Sequence, residues 1–141
     1  MIARVVLAVL FALMTAGVSS AVEDPWPNEI PSAVVRAYLQ ALLDGRYDQT
    51  YNYLSSKRQR HMTREDWVMR LKRDNARPRS QVLFMRVNPA IVRGEEATVV
   101  TSFRLKTPEG RKVSRETYNL VREGGQWRID GIEVFDAPSQ E

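Results

Sequence analysis

Apolar residues in the segment SAVVRAYLQALLDG, residues 32–45, recur every three to four positions. Val35, Leu39 and Leu42 form one line, with Val34, Tyr38 and Ala41 beside it. This is the period of an amphipathic helix. Ser32 is placed to cap its start, and Gly45 to stop it in the left-handed region. A second, short helix is expected from Asp48, presenting Tyr47, Tyr51 and Leu54. Thr63 opens a third, with Asp66 three residues on in a capping-box arrangement and Trp67 and Leu71 one turn apart.

From Gln81 the period falls to two. Residues 81–92 read as one extended run, with Pro89 arguing for an edge or a bulge near its end. After the turn RGEE, residues Ala97, Val99, Thr101, Phe103 and Leu105 alternate with more polar neighbours. TPEG and EGGQ supply two further turns, so the strands form a four-stranded antiparallel meander. The last strand changes parity. Trp127 and Ile129 share a face, but the next apolar pair, Ile132 and Val134, stands on the opposite one. One extra residue near Asp130 and Gly131, a β-bulge, would restore a single buried face and bend the strand. The fold class is therefore α+β, with three N-terminal helices packed on a strongly curved four-stranded sheet that wraps the first helix.

The N-terminus reads differently. Arg4 precedes an unbroken apolar run at residues 5–14, and TAGVSSA ends on small residues. These are the marks of an export signal cleaved after Ala21 or one residue earlier. The domain assignment is thus signal peptide at 1–21, linker at 22–30, folded domain at 31–136 and flexible tail at 137–141. The expected location is periplasmic or secreted. Cysteine is absent from the 141 residues, which excludes disulfides, thiol catalysis and a lipid-bearing cysteine. Of the net charge of +4, little is spread evenly. Nine Lys or Arg lie between Lys57 and Arg79 against Glu65, Asp66 and Asp74. Arg58, Arg60, Arg70 and Arg73 in this window are the candidate partner-binding residues. An unknown envelope protein, anionic lipid or a small ligand are the candidate partners. Nucleic acid is not expected of an exported protein, and a homodimer through the sheet is a further candidate.

The order of these elements, with PSAVVRAYLQALLDGRYDQTYNYLS near the start and NLVREGGQWRIDGIEV at the end, resembles the nuclear transport factor 2-like superfamily and its secreted bacterial members. The resemblance spans residues 31–135. It implies a cone in which a curved sheet and three helices enclose a pocket, used by some members for isomerase, dehydratase or hydrolase chemistry and by others for binding or assembly. Lipoprotein members carry a cysteine at the cleavage site, where this chain has Ala21.

Fold does not decide function, and the chemistry on offer is sparse. His61, the single histidine, lies in KRQRHMTRE and reads as part of an exposed basic loop. Neither metal-ligand spacing, nor a Gly-rich phosphate loop, nor a nucleophile elbow is present. No cofactor and no catalytic residue is assigned. The pocket candidates are Tyr38, Glu116, Tyr118, Trp127 and Asp130. Trp127 is expected beneath the first helix, and Asp130 is expected to bond amides at the bulge. The chain is expected to be an exported binding or accessory module; the alternative is a small cofactor-free lyase, isomerase or hydrolase. An open cavity of about 300 Å³ or more with an inward carboxylate would favour the enzyme.

Overall fold

In the structure, a computed structural model, residues 30–75 and 81–138 are described. The expected signal peptide, nearly all of the linker and the end of the tail lie outside the described residues. The helical layer comprises α1 (Pro31–Leu43), α2 (Tyr47–Thr50) running into a 3₁₀ turn (Tyr51–Tyr53), α3 (Ser56–His61) and α4 (Arg64–Asn75). The strands follow as β1 (Gln81–Val87), β2 (Ile91–Arg93), β3 (Glu96–Thr107), β4 (Gly110–Glu123) and β5 (Gln126–Pro138). They form one antiparallel sheet in the order β1-β3-β4-β5, with β2 also paired to β3.

The α+β class and the packing of helices on an antiparallel sheet are as expected, and the structure adds detail. The run at 81–92 divides in two around Pro89. Proline has no N–H for the ladder, so pairing with β3 stops after Val87 and resumes at Ile91. The segment read as a basic loop contains α3, a helix with no apolar stripe to announce it. At the start of α1, Pro31 occupies the first turn and Ile30 the cap position without a side-chain bond, so Ser32 is not the cap. Gly45 does take the left-handed conformation, at φ 73°.

The core lies between α1 and the inner face of the sheet. Val34, Val35, Tyr38 and Leu39 of α1 are buried against Ala97, Val99 and Phe103 of β3, Tyr118 and Leu120 of β4, and Trp127 and Ile129 of β5. Each large apolar side chain contributes at most about 1.5–3 kcal/mol by leaving water. The bulge occurs where the parity changes. Asn119 pairs with Gly131 and Leu120 with Ile129, so Asp130 is the extra residue. Tyr118 then faces Ile132, which packs against the core.

Candidate functional site

The bulge connects the sheet to the helices through one serine. Ser55 is fully buried, and its backbone N–H donates to the Ile129 carbonyl at 2.8 Å. Its hydroxyl donates to Asp130 Oδ1 at 2.7 Å and accepts the Arg58 N–H at 3.3 Å. One hydroxyl thus caps α3 and holds the bulge. The adjoining Ser56 donates its N–H and hydroxyl to the Glu123 carboxylate at the end of β4. These bonds explain why KRQRH is helical: its start is held by groups from the last two strands. The expectation that Asp130 bonds amides of the bulge is corrected, because its partner is a side chain 75 residues earlier.

Fixing α3 in this way creates a cleft of about 310 Å³. Leu54, Met62 and Trp67 provide apolar lining, while Lys57, Arg58 and His61 of α3, Arg70 of α4 and Asp130 of β5 provide the polar groups. Trp67 is positioned by its indole N–H, which donates to Thr50 Oγ1 at 2.8 Å. The start of α4 is held by Thr63, whose hydroxyl accepts the Asp66 N–H at 3.2 Å. Tyr51 donates to carbonyls of Gln59 and Met62, tying the end of α3 to the 3₁₀ turn.

A second cluster lies under α1. The rings of Tyr38 and Tyr118 meet edge to face with centroids 5.9 Å apart, and the Tyr118 hydroxyl donates to Glu116. Burial pushes the Tyr118 phenol well above its ordinary value, with the Glu116 charge and hydrogen bond adding to the effect. Burial also raises Tyr38, again with Glu116 in support, while Arg58 and Arg70 pull the other way. Both phenols stay protonated at neutral pH. They can donate hydrogen bonds but cannot serve as bases.

The expected five-residue pocket therefore divides. Tyr38, Tyr118 and Glu116 come together, Asp130 belongs to the cleft, and Trp127 is a core side chain with Arg122 set 5.9 Å from its ring centre. The four candidate arginines divide too: Arg58 and Arg70 line the cleft, while Arg60 and Arg73 are exposed and do not. Sequence reasoning missed Ser55 and Lys57 and placed His61 in a loop. A Ser-Ser pair ahead of a polar run was the available signal. Among the described residues, no group of three or more His, Asp or Glu is arranged to hold a metal.

Residues 24–134 match the family described as "Lipoprotein LpqB, N-terminal domain". The chain belongs to this family. The match begins before α1 and ends within β5, covering the cleft and the tyrosine cluster. Lipoproteins are proteins of the cell envelope, which agrees with the expected export, although these 141 residues include no cysteine to carry a lipid. Among curated proteins, none matches the sequence. The chain is similar in structure to a SEC-C motif containing protein from Rhodopseudomonas palustris, at 17% identity over 74% of this chain and 78% of that one, with a TM-score of 0.58. It is also similar to Bd1075 of Bdellovibrio bacteriovorus, at 13% identity over 74% of this chain and 39% of that one, with a TM-score of 0.50. These likenesses show the fold alone.

Proposed function

We propose that this chain is an accessory domain of the cell envelope that binds a small anionic group in the cleft between α3, α4 and β5. One observation carries the reading. Lys57, Arg58, His61 and Arg70 converge on a single concavity, where Asp130 is the one carboxylate among the described residues lining it and already accepts the Ser55 hydroxyl. Cationic walls around a partly apolar floor concentrate field and favour an anion. Arginine forks suit carboxylate or phosphate oxygens. A volume of about 310 Å³ is at the small end for ligand sites, so the occupant is small, or only its anionic end enters. Helices followed by an antiparallel sheet with a bulged last strand also support kinship with the nuclear transport factor 2-like superfamily, as does a chamber beside that strand.

Thermal unfolding across a series of phosphate, sulfate and citrate concentrations tests the reading. Binding to the folded state raises Tm with the logarithm of ligand concentration once the site fills. Arg58→Gln with Arg70→Gln should abolish the rise, whereas Arg60→Gln with Arg73→Gln should preserve it. No rise with any of the three anions, or equal loss in both double variants, would sink the proposal.

A lyase, isomerase or hydrolase is the second reading. It is favoured by the presence of a carboxylate, Asp130, and a histidine, His61, on one cleft of the size that suits an enzyme. On this reading Asp130→Asn cuts turnover by about two orders of magnitude in a well-folded protein. On the first reading, the same change leaves anion binding in place.

A further inference from the structure

A second cationic surface lies on the opposite side of the sheet from the helices and shares no residue with the cleft. The strand register defines it. Phe84, Arg104 and Val113 are cross-strand neighbours in one outward row, and Arg86, Ser102, Arg115 and Phe135 form the next. Lys106 and Arg111 pair in the row before them. With strands about 4.8 Å apart and same-face rows about 6.8 Å apart, these side chains occupy one continuous patch. Phe84 is 51% exposed, Val113 40% and Phe135 59%. Arg104 lies across the Phe84 ring at 5.7 Å. Glu133 is the one acidic residue at the described outward paired positions of this half of the sheet. The other half is mixed in character: Thr98, Asn119 and Gly131 form an uncharged row there, and in the row beyond it Glu96 stands between Arg93 and Val121, with Arg128 next.

We propose that this half of the outer sheet face docks on an anionic phospholipid bilayer. The charge pattern requires an anionic occupant, and the two phenylalanines and valine require one that also accepts apolar side chains. A bilayer surface offers both within a few ångströms of depth: phosphates for the guanidiniums and the acyl boundary for the rings. A second copy of the chain is a poor occupant. A two-fold pairing would set Arg86, Arg104, Lys106 and Arg115 against their own images, and like charges across an interface repel. On this proposal the cleft takes a small anion and the sheet face takes lipid. In a family named for a lipoprotein, such a face would give a cysteine-free chain a non-covalent hold on the membrane.

The test is co-sedimentation of the whole protein with phosphatidylcholine vesicles, with and without phosphatidylglycerol. Binding should require phosphatidylglycerol. It should weaken steeply between about 0.1 M and about 1 M salt, where the Debye length shrinks from about 10 Å to about 3 Å. Arg104→Gln with Arg115→Gln should weaken it about fivefold for each charge removed. Phe84→Ser with Phe135→Ser should weaken it about tenfold. Arg58→Gln with Arg70→Gln should leave it unchanged, which separates this surface from the cleft. The proposal is overturned by equal binding to pure phosphatidylcholine, or by loss in the cleft variant alone. It is equally overturned by preference for an oligonucleotide or an acidic protein over the vesicles, or by a solution dimer that the face substitutions dissociate.

Discussion

The two edges of the sheet are both irregular, yet they play opposite parts. Along β5 the extra residue Asp130 turns its carboxylate to Ser55, the Ile129 carbonyl takes the Ser55 N–H, and Leu54 bridges to Ile129. The helical layer thereby closes this edge. Along β1 and β2 the ladder breaks at Pro89 and shifts again between Val82 and Phe84, with Val82, Val87 and Ala90 resting against the core beside the breaks. Leu83, Phe84, Ile91 and Val92 are about half exposed or more there. Interruption and bulging protect this second edge from pairing with another chain. An irregularity thus gains meaning from what it releases: at β5 a carboxylate bound for a helix, at β1 and β2 only an end to pairing.

The largest expected effect separates the two edges by side-chain deletion. Ile129→Ala, at a fully buried site on the closed edge, should cost about 2–5 kcal/mol in urea unfolding. Ile91→Ala, 61% exposed on the broken edge, should stay within about 0.5 kcal/mol. Similar costs at both sites would erase the distinction. A smaller effect concerns the bulge itself. Ser55→Ala removes a buried hydroxyl that serves both Asp130 and the start of α3, and should cost about 1–3 kcal/mol. Deleting Gly131 should leave Ile132 and Val134 on the inner face of a now regular strand, and should turn Asp130 outward, away from Ser55. Gly131→Ala should be nearly neutral. Gly131 lacks a positive φ, and an added Cβ would meet Asn119 only at ordinary contact, 3.7 Å. The bulge therefore depends on residue count, not on glycine. A strongly destabilised Gly131→Ala would contradict that account.

The smallest effect at neutral pH appears in base. Tyr38 and Tyr118 have folded-state pKa values above the unfolded value of about 10. The folded state therefore binds protons more tightly than the unfolded one at high pH. The stability tied to these phenols is complete below about pH 10 and is lost as the pH rises through their folded values. In an absorbance titration of the five tyrosines, these two should ionise only with unfolding. Ser55→Ala should bring that step to lower pH, while Ile91→Ala should not move it.

Much of the frame was legible in the sequence, for local reasons. The three-to-four spacing in α1, the alternation along β3, the left-handed Gly45 and the parity change that marks the bulge each depend on near neighbours. The unreadable parts depend on distant ones. KRQRH has no apolar period, and its helix exists because Ser55 and Ser56 meet Asp130 and Glu123. The cleft joins residues 54–70 to residue 130, so no local pattern could assemble it. The outer cationic face is spread over four strands and emerges once their register is known, whereas the run at 57–79 drew notice because its charges are consecutive.

The two-partner hydroxyl of Ser55 also sets an order in time. At six residues, α3 is too short to persist alone. The side chains that steady its first turn, Glu123 and Asp130, belong to the final hairpin of the chain. Closing a contact across 75 residues is a late and entropically costly event in folding. The walls of the cleft therefore cannot take shape as the helices are made; they wait for the last strand, and amide exchange should show α3 and β5 gaining protection together. A nascent chain would hold its basic segment unsettled until β5 has paired, and the cleft would take shape only then.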